Sequence, residues 1–246
     1  VLLLYLARIG SLIGMVALIY LAIRTTPIAK WPFVIIGLLP MTLFAGSVIS
    51  TDPATIGLSA LLIAYVLRLT LTKQVLSKGN FVALALIASA LALIKVINII
   101  LLPLIFLIVF KKMHRDQSRR ALFSYALATI VFAVCIFLLS SYANPAVQTD
   151  SIARYPEGVV PIEQIKLILS RPNEFIFALW NTYFYAWGDN VHYSLIGTFG
   201  WMDTPMAVPF IVVGYTMLLL VLVSNTNLDH KKLKHITWRG KAGIWM

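Results

Sequence analysis

Apolar positions along the chain gather in long runs, with no sustained alternation. A helix needs about 20 apolar residues to cross about 30 Å of hydrocarbon. Val1–Ile23, Trp31–Ser50, Ala54–Leu71, Ala121–Tyr142 and Met206–Ser224 each satisfy that demand. Charges inside them are sparse: Arg8 in the first, none in the second, Arg68 near the end of the third. Phe81–Phe110 is a longer run of 30 residues with a single charge, Lys95, in its middle. No internal repeat is visible, and the Ala/Leu-rich patch Val82–Leu93 is biased composition. The pattern predicts an all-α polytopic integral membrane protein of about five full transmembrane helices plus a short helical hairpin. Its organisation reads as transmembrane helices over 1–142, including the hairpin 81–110, then a long outer segment over 143–205. A further helix and a basic segment follow over 206–246.

Composition agrees with that class. Of 246 residues, 60% are apolar and 12% charged, against about 45–50% and about 25% in soluble domains. A soluble enzyme, a disordered tail and a secreted disulfide scaffold are excluded. Cys135 is the one cysteine, so no internal disulfide exists. The first run is too long for a signal-peptide core and lacks a small-residue cleavage site, so it reads as an internal span. Val1 opens the chain inside an apolar run and the last residues turn apolar again. We therefore expect an excerpt of a longer chain.

Twenty basic residues against nine acidic ones leave a formal charge of +11. In a chain this apolar, the excess reports orientation before nucleic-acid affinity. Basic residues cluster at Arg24–Lys30, Lys73–Lys78, Lys111–Arg120 and Lys231–Lys241. The positive-inside rule places all four clusters in the cytoplasm and Thr51–Pro53 and Ala143–Pro205 outside. The 81–110 run must then enter and return. One helix of 30 residues is about 45 Å long and two full crossings need about 60 Å, so a short hairpin or re-entrant pair is expected. Asn98 and Pro103 lie in its central part, and proline disfavours helix at the residue before it. A single tilted span is the alternative, and it breaks the charge rule.

The outer segment is too long for a structureless connector. Pro161, followed by Ile162, Ile165, Ile168 and Leu169, predicts an amphipathic helix that Arg171-Pro172 ends. Asn173–Trp201 carries ten aromatic residues. They read as a membrane-interface belt, as a wall for a sugar or lipid-linked substrate, or as both.

Polar residues at membrane depth are the candidates for chemistry. Asp52, in Ser50-Thr51-Asp52-Pro53, suits the N-cap of a helix opening on proline. It also places a carboxylate at the outer mouth of the bundle, able to serve as a base on a hydroxyl or to hold a metal or acceptor. Arg8 either snorkels to outer headgroups or binds a phosphate, whose oxygens suit a guanidinium. Lys95 has the same choice, with pairing to an outer carboxylate as its plain alternative and Asn98 one turn away. Asp189, His192, Trp201 and Asp203 are further substrate-binding candidates in the aromatic stretch. One histidine and scattered acids make no metal motif. No phosphate loop or nucleophile elbow is present.

Leu39-Pro40-Met41-Thr42-Leu43-Phe44-Ala45-Gly46-Ser47-Val48-Ile49-Ser50-Thr51-Asp52 resembles a stretch of the bacterial membrane family called domain of unknown function 2142. Leu93-Ile94-Lys95 ahead of Leu102-Pro103-Leu104 resembles that family's lysine-containing hairpin. Ile196-Gly197-Thr198-Phe199-Gly200-Trp201-Met202-Asp203-Thr204-Pro205 resembles its third block. Thr51 stands where the family often has proline. The resemblance implies a GT-C-like fold in the bacterial plasma membrane. It also implies transfer of a sugar from a polyprenyl-phosphate donor to a cell-surface glycan acceptor at the outer face. The main acidic group of such enzymes would belong to a loop ahead of Val1, leaving Asp52 in the second outer loop. A divalent metal is an open possibility there. The partners expected are membrane lipids, the lipid-linked sugar and the glycan, with no nucleic acid. A non-catalytic flippase or polymerisation partner for lipid-linked sugars is the second reading.

Overall fold

The computed structural model describes residues 1–71, 77–112, 119–143, 160–186, 188–199, 204–221 and 223. The bundle opens with α1 (Leu2–Thr25), α2 (Lys30–Leu38), α3 (Pro40–Gly46) and α4 (Asp52–Leu71). It continues with α5 (Lys78–Ile94), a 3₁₀ segment (Val96–Ile105), α6 (Phe106–Lys112) and α7 (Arg119–Ala143). After these come α8 (Pro161–Ser170), α9 (Pro172–Asn181), a π turn (Thr182–Ala186) and α10 (Gly188–Gly197). A two-stranded ribbon, β1 (Thr198–Phe199) with β2 (Thr204–Pro205), precedes α11 (Val208–Val221).

Three helices are long and apolar enough to cross a bilayer: Leu2–Thr25, Asp52–Leu71 and Phe123–Ser140. This is fewer than the five full spans expected, and two runs account for the difference. Trp31–Ser50 is not one helix. It breaks at Leu39, whose backbone is extended (φ −57°, ψ 137°), because Pro40 disfavours helical geometry at the residue before it. The run then turns out of helix after Gly46. Met206–Ser224 gives a shorter apolar helix, Val208–Val221, among the described residues.

α1 and α4 pack along each other, and Gly57 permits their approach. A Cβ there would sit 2.7 Å from the Leu18 side chain, so only a glycine leaves room for that leucine. At the α4 start the Ser11 hydroxyl donates to the Val48 carbonyl at 3.3 Å. The central core joins Leu62 and Val66 of α4, Leu84 and Leu91 of α5, Leu102 and Ile105 of the 3₁₀ segment, and Ala126 and Ala133 of α7.

The 81–110 run returns on itself. Phe81, near the start of α5, stacks on Tyr125, near the start of α7, with ring centroids 5.1 Å apart. Phe106, opening α6, lies 5.7 Å from Phe123 in the same first turns of α7. One end of α7 therefore meets both ends of the run, and the reversal falls between α5 and the 3₁₀ segment.

Beyond α7, the amphipathic helix expected from Pro161 is present as α8 and ends at Arg171. Arg171 and Glu174 form an exposed ion pair, and α8 packs on α9. Ile165, Leu169, Ile176, Phe177 and Trp180 stay exposed on the pair. The ribbon is antiparallel, with Phe199 opposite Thr204.

Gly57→Ala should force Leu18 aside and lower stability by about 1–3 kcal/mol, the usual cost of overpacking. Thermal unfolding of the detergent-solubilised protein checks this, with Gly10→Ala, where the added carbon meets nothing within 4 Å, as the neutral control.

Candidate functional site

The site grows out of two breaks in helical structure. The first follows α3, where the Ser47 hydroxyl donates to the Phe44 carbonyl at 2.8 Å and the chain leaves the helix. Five residues later α4 begins. The Thr55 N–H donates to the Thr51 carbonyl at 3.0 Å, which makes Thr51 the residue that accepts the first bond of the helix. Asp52 thus stands in the first turn, one place further in than the N-cap expected for it. Its carboxylate is turned to other partners. The Ser50 hydroxyl donates to Oδ2 at 3.1 Å and accepts the Asp52 N–H at 3.1 Å. Oδ1 forms an ion pair with Lys95 Nζ, which is 43 residues away in the chain.

The second break presents that lysine. α5 ends at Ile94, and Lys95 is extended (φ −149°, ψ 134°) before the 3₁₀ segment starts. The Leu91 carbonyl, in the last turn of α5, accepts the Lys95 N–H at 3.4 Å and also the Asn98 side-chain amide at 3.0 Å. Asn98 is 5% exposed, and its N–H donates to the Lys95 carbonyl at 3.0 Å. Asn98 therefore fastens the turn from both sides, and its buried amide is engaged within the fold. Lys95 and Asp52 remain 41% and 47% exposed, so no part of the protein closes over the pair.

Asp52 also borders an open groove of about 500 Å³. Its walls come from α2, α3, α4, α10 and α11, with Leu39 at the helix break, and among the described residues Asp52 is the one charged group on them. Thr42, Thr55 and Ser194 are polar residues there that sequence reasoning did not single out. Their signal is weak because hydroxyl residues inside apolar runs bond the preceding turn as readily as a ligand. The walls are otherwise aliphatic. One aromatic cluster joins Trp180 to Phe184 at 4.3 Å, Tyr183 to Phe184 at 4.9 Å and Tyr183 to His192 at 5.0 Å, while Tyr193 packs on the small core that holds Leu39 of the wall.

The three motif segments meet here. Phe44 packs edge-on against Phe199 at 5.3 Å, and Leu39 shares a small core with Ile196 and Ile211. The Asp52–Lys95 pair adds the third segment. Arg8 is exposed on α1, one turn before Ser11. His192 is half-buried, and its carbonyl accepts the Tyr215 hydroxyl at 2.8 Å. Asp189 lies in α10 with its side chain outside the described set, while Trp201 and Asp203 lie outside the described residues altogether. No group of three or more His, Cys, Asp or Glu able to hold a metal occurs among the described residues. Asp52, already facing a lysine, does not make a donor set.

Residues 1–243 match the family described as "Predicted membrane protein (DUF2142)", and the chain belongs to that family. No curated protein and no solved structure matches it.

Asn98→Leu removes the amide that holds the Leu91 carbonyl and should cost about 1–3 kcal/mol, the range for stranding a buried polar partner. Thermal unfolding beside Asn98→Asp, which keeps size but loses the donor when ionised, checks that the loss follows the donor.

Proposed function

We propose that this protein handles a lipid-linked sugar at the extracytoplasmic face of a bacterial plasma membrane, as a glycosyltransferase using a polyprenyl-phosphate donor. The single observation behind this reading is a carboxylate–ammonium pair at the edge of an apolar groove, where three separate motif segments converge. Such a site offers an apolar lining for a lipid tail, a cation for a phosphate and a carboxylate for a hydroxyl.

The chemistry divides between the two charges. Asp52 takes the proton of an acceptor hydroxyl as its oxygen attacks the anomeric carbon of the sugar. The bond from that carbon to the phosphate oxygen breaks, and its electrons leave on the phosphate. Lys95 meets the charge that develops there. Arg8, one turn above Ser11 on α1, supplies a second cation for the same anion.

Membrane placement follows from lengths and charges. In this reading α5 rises from Lys78 at the cytoplasmic side. Its 17 residues span about 25 Å at about 1.5 Å per residue. That falls short of about 30 Å of hydrocarbon and sinks Lys95 just below the outer boundary. The 3₁₀ segment and α6 bring the chain back, as a hairpin in a GT-C-like bundle. α8 and α9 lie in the outer interface, where Trp180, Phe177 and Ile176 enter lipid and Lys166 and Arg171 face the headgroups.

A non-catalytic flippase or polymerisation partner is the second reading. It is favoured by one observation: the only charged group on the described groove wall is already neutralised by Lys95.

Asp52→Asn in the full-length protein should lower glycan transfer by roughly 10²–10⁴-fold, the usual contribution of a general base. Radiolabelled sugar incorporation measures it, and undiminished transfer removes Asp52 from the chemistry. Orientation has its own check. Lys166→Cys, in a background cleared of Cys135 and any other cysteine, should react with a membrane-impermeant maleimide added outside intact cells. Labelling only after permeabilisation would reverse the orientation.

A further inference from the structure

We propose that Asp52 is an internal competitor for the phosphate of the lipid-linked ligand, and that ligand binding moves Lys95 from Asp52 to that phosphate and so frees the carboxylate. The inference rests on the reading above and adds to it how the site is controlled.

Geometry supplies the first argument. In a displacement at the anomeric carbon, the hydroxyl attacks from one face and the phosphate departs from the other. The group that takes the proton and the cation that meets the phosphate must therefore stand a sugar ring apart. In the structure they touch. The contact describes a closed arrangement, and a donor sugar enters only when it opens.

The second argument is the means of opening. Both side chains are roughly half exposed, so the pair is not sealed by surrounding protein. Such pairs contribute little beyond about 1 kcal/mol. The phosphodiester of a lipid-linked sugar brings one negative charge and two free oxygens, and the monoester left after transfer, for which farnesyl phosphate stands, brings up to two charges and three oxygens, so either can take the ammonium from one weakly held carboxylate. The backbone at Lys95 is held by Asn98 and the Leu91 carbonyl, so the exchange needs only side-chain rotation. Asp52 keeps its bond from Ser50 throughout and stays aimed at the mouth of the groove.

The third argument is the groove itself. Its volume of about 500 Å³ falls within the range of about 300–1,000 Å³ typical of small-molecule sites. Its aliphatic lining beside Asp52 suits the first units of an isoprenoid tail. A tail seated there brings its phosphate to the ion pair.

Binding of farnesyl phosphate to the full-length protein in zwitterionic nanodiscs tests the exchange, with inorganic phosphate and farnesol as the two half-ligands. Removing the competitor should strengthen binding. Asp52→Asn should bind farnesyl phosphate roughly fivefold more tightly, in line with what a half-exposed pair is worth. Lys95→Met should weaken it by about tenfold, Lys95→Arg should keep it, and Lys95→Met with Asp52→Asn should show no gain over Lys95→Met. Unfolding temperatures near wild type qualify each variant, and Asp52→Ser replaces Asp52→Asn if that variant does not fold. Farnesyl phosphate bound with unchanged or weaker affinity after Asp52→Asn overturns the exchange and leaves the proposed substrate class standing. Binding of inorganic phosphate as tight as that of farnesyl phosphate overturns the tail subsite. Failure of every variant to bind farnesyl phosphate overturns the exchange together with the function it rests on.

Discussion

The ion pair between Asp52 and Lys95 is the contact on which the candidate site depends. It joins the first turn of α4 to the reversal between α5 and the 3₁₀ segment, two places where the backbone leaves regular helix. Each break exposes backbone groups that hydrocarbon would not satisfy. The chain provides for them locally. Ser50 bonds the Asp52 N–H, and Asn98 bonds the Leu91 carbonyl. The charges then have fixed platforms, and their meeting ties two distant stretches of sequence to one corner of the bundle, where Phe199 and Ile196 bring a third.

Much of the bundle was legible in the sequence because hydropathy is additive along a helix. α1, α4 and α7 lie within a few residues of their expected bounds, and α8 follows the spacing of its isoleucines. Counting apolar residues fails where a run is long enough but locally unable to stay helical. Trp31–Ser50 contains Pro40 at its centre, and the backbone rule at Leu39 outweighs the hydropathy of its neighbours. The ribbon at Thr198–Pro205 escaped notice for a different reason: two-residue strands carry no periodicity to read.

The site was legible in its parts and not in its assembly. Asp52, Lys95 and Asn98 stand out as polar residues in apolar surroundings. Nothing in their spacing says that Lys95 meets Asp52 among the acids of the outer segments, or that Asn98 turns inward to a carbonyl. Long-range pairing depends on how helices cross, which single-chain periodicity does not encode. The aromatic stretch was legible as a cluster but not in where its rings go: Trp180, Tyr183 and Phe184 stack together, whereas Phe199 meets Phe44 and Tyr193 packs on the small core that holds Leu39 of the groove wall.

The parallel course of α5 and α7 has a consequence for biogenesis. Neither limb of the returning run is a sound passenger for the insertion machinery by itself. α5 alone would strand an ammonium group and an unclosed turn in oil, and the limb that follows it is 3₁₀ for most of its length. Made together after α4, the two limbs close the turn and bring the lysine to its carboxylate. The order of synthesis, carboxylate before ammonium, suits that closure.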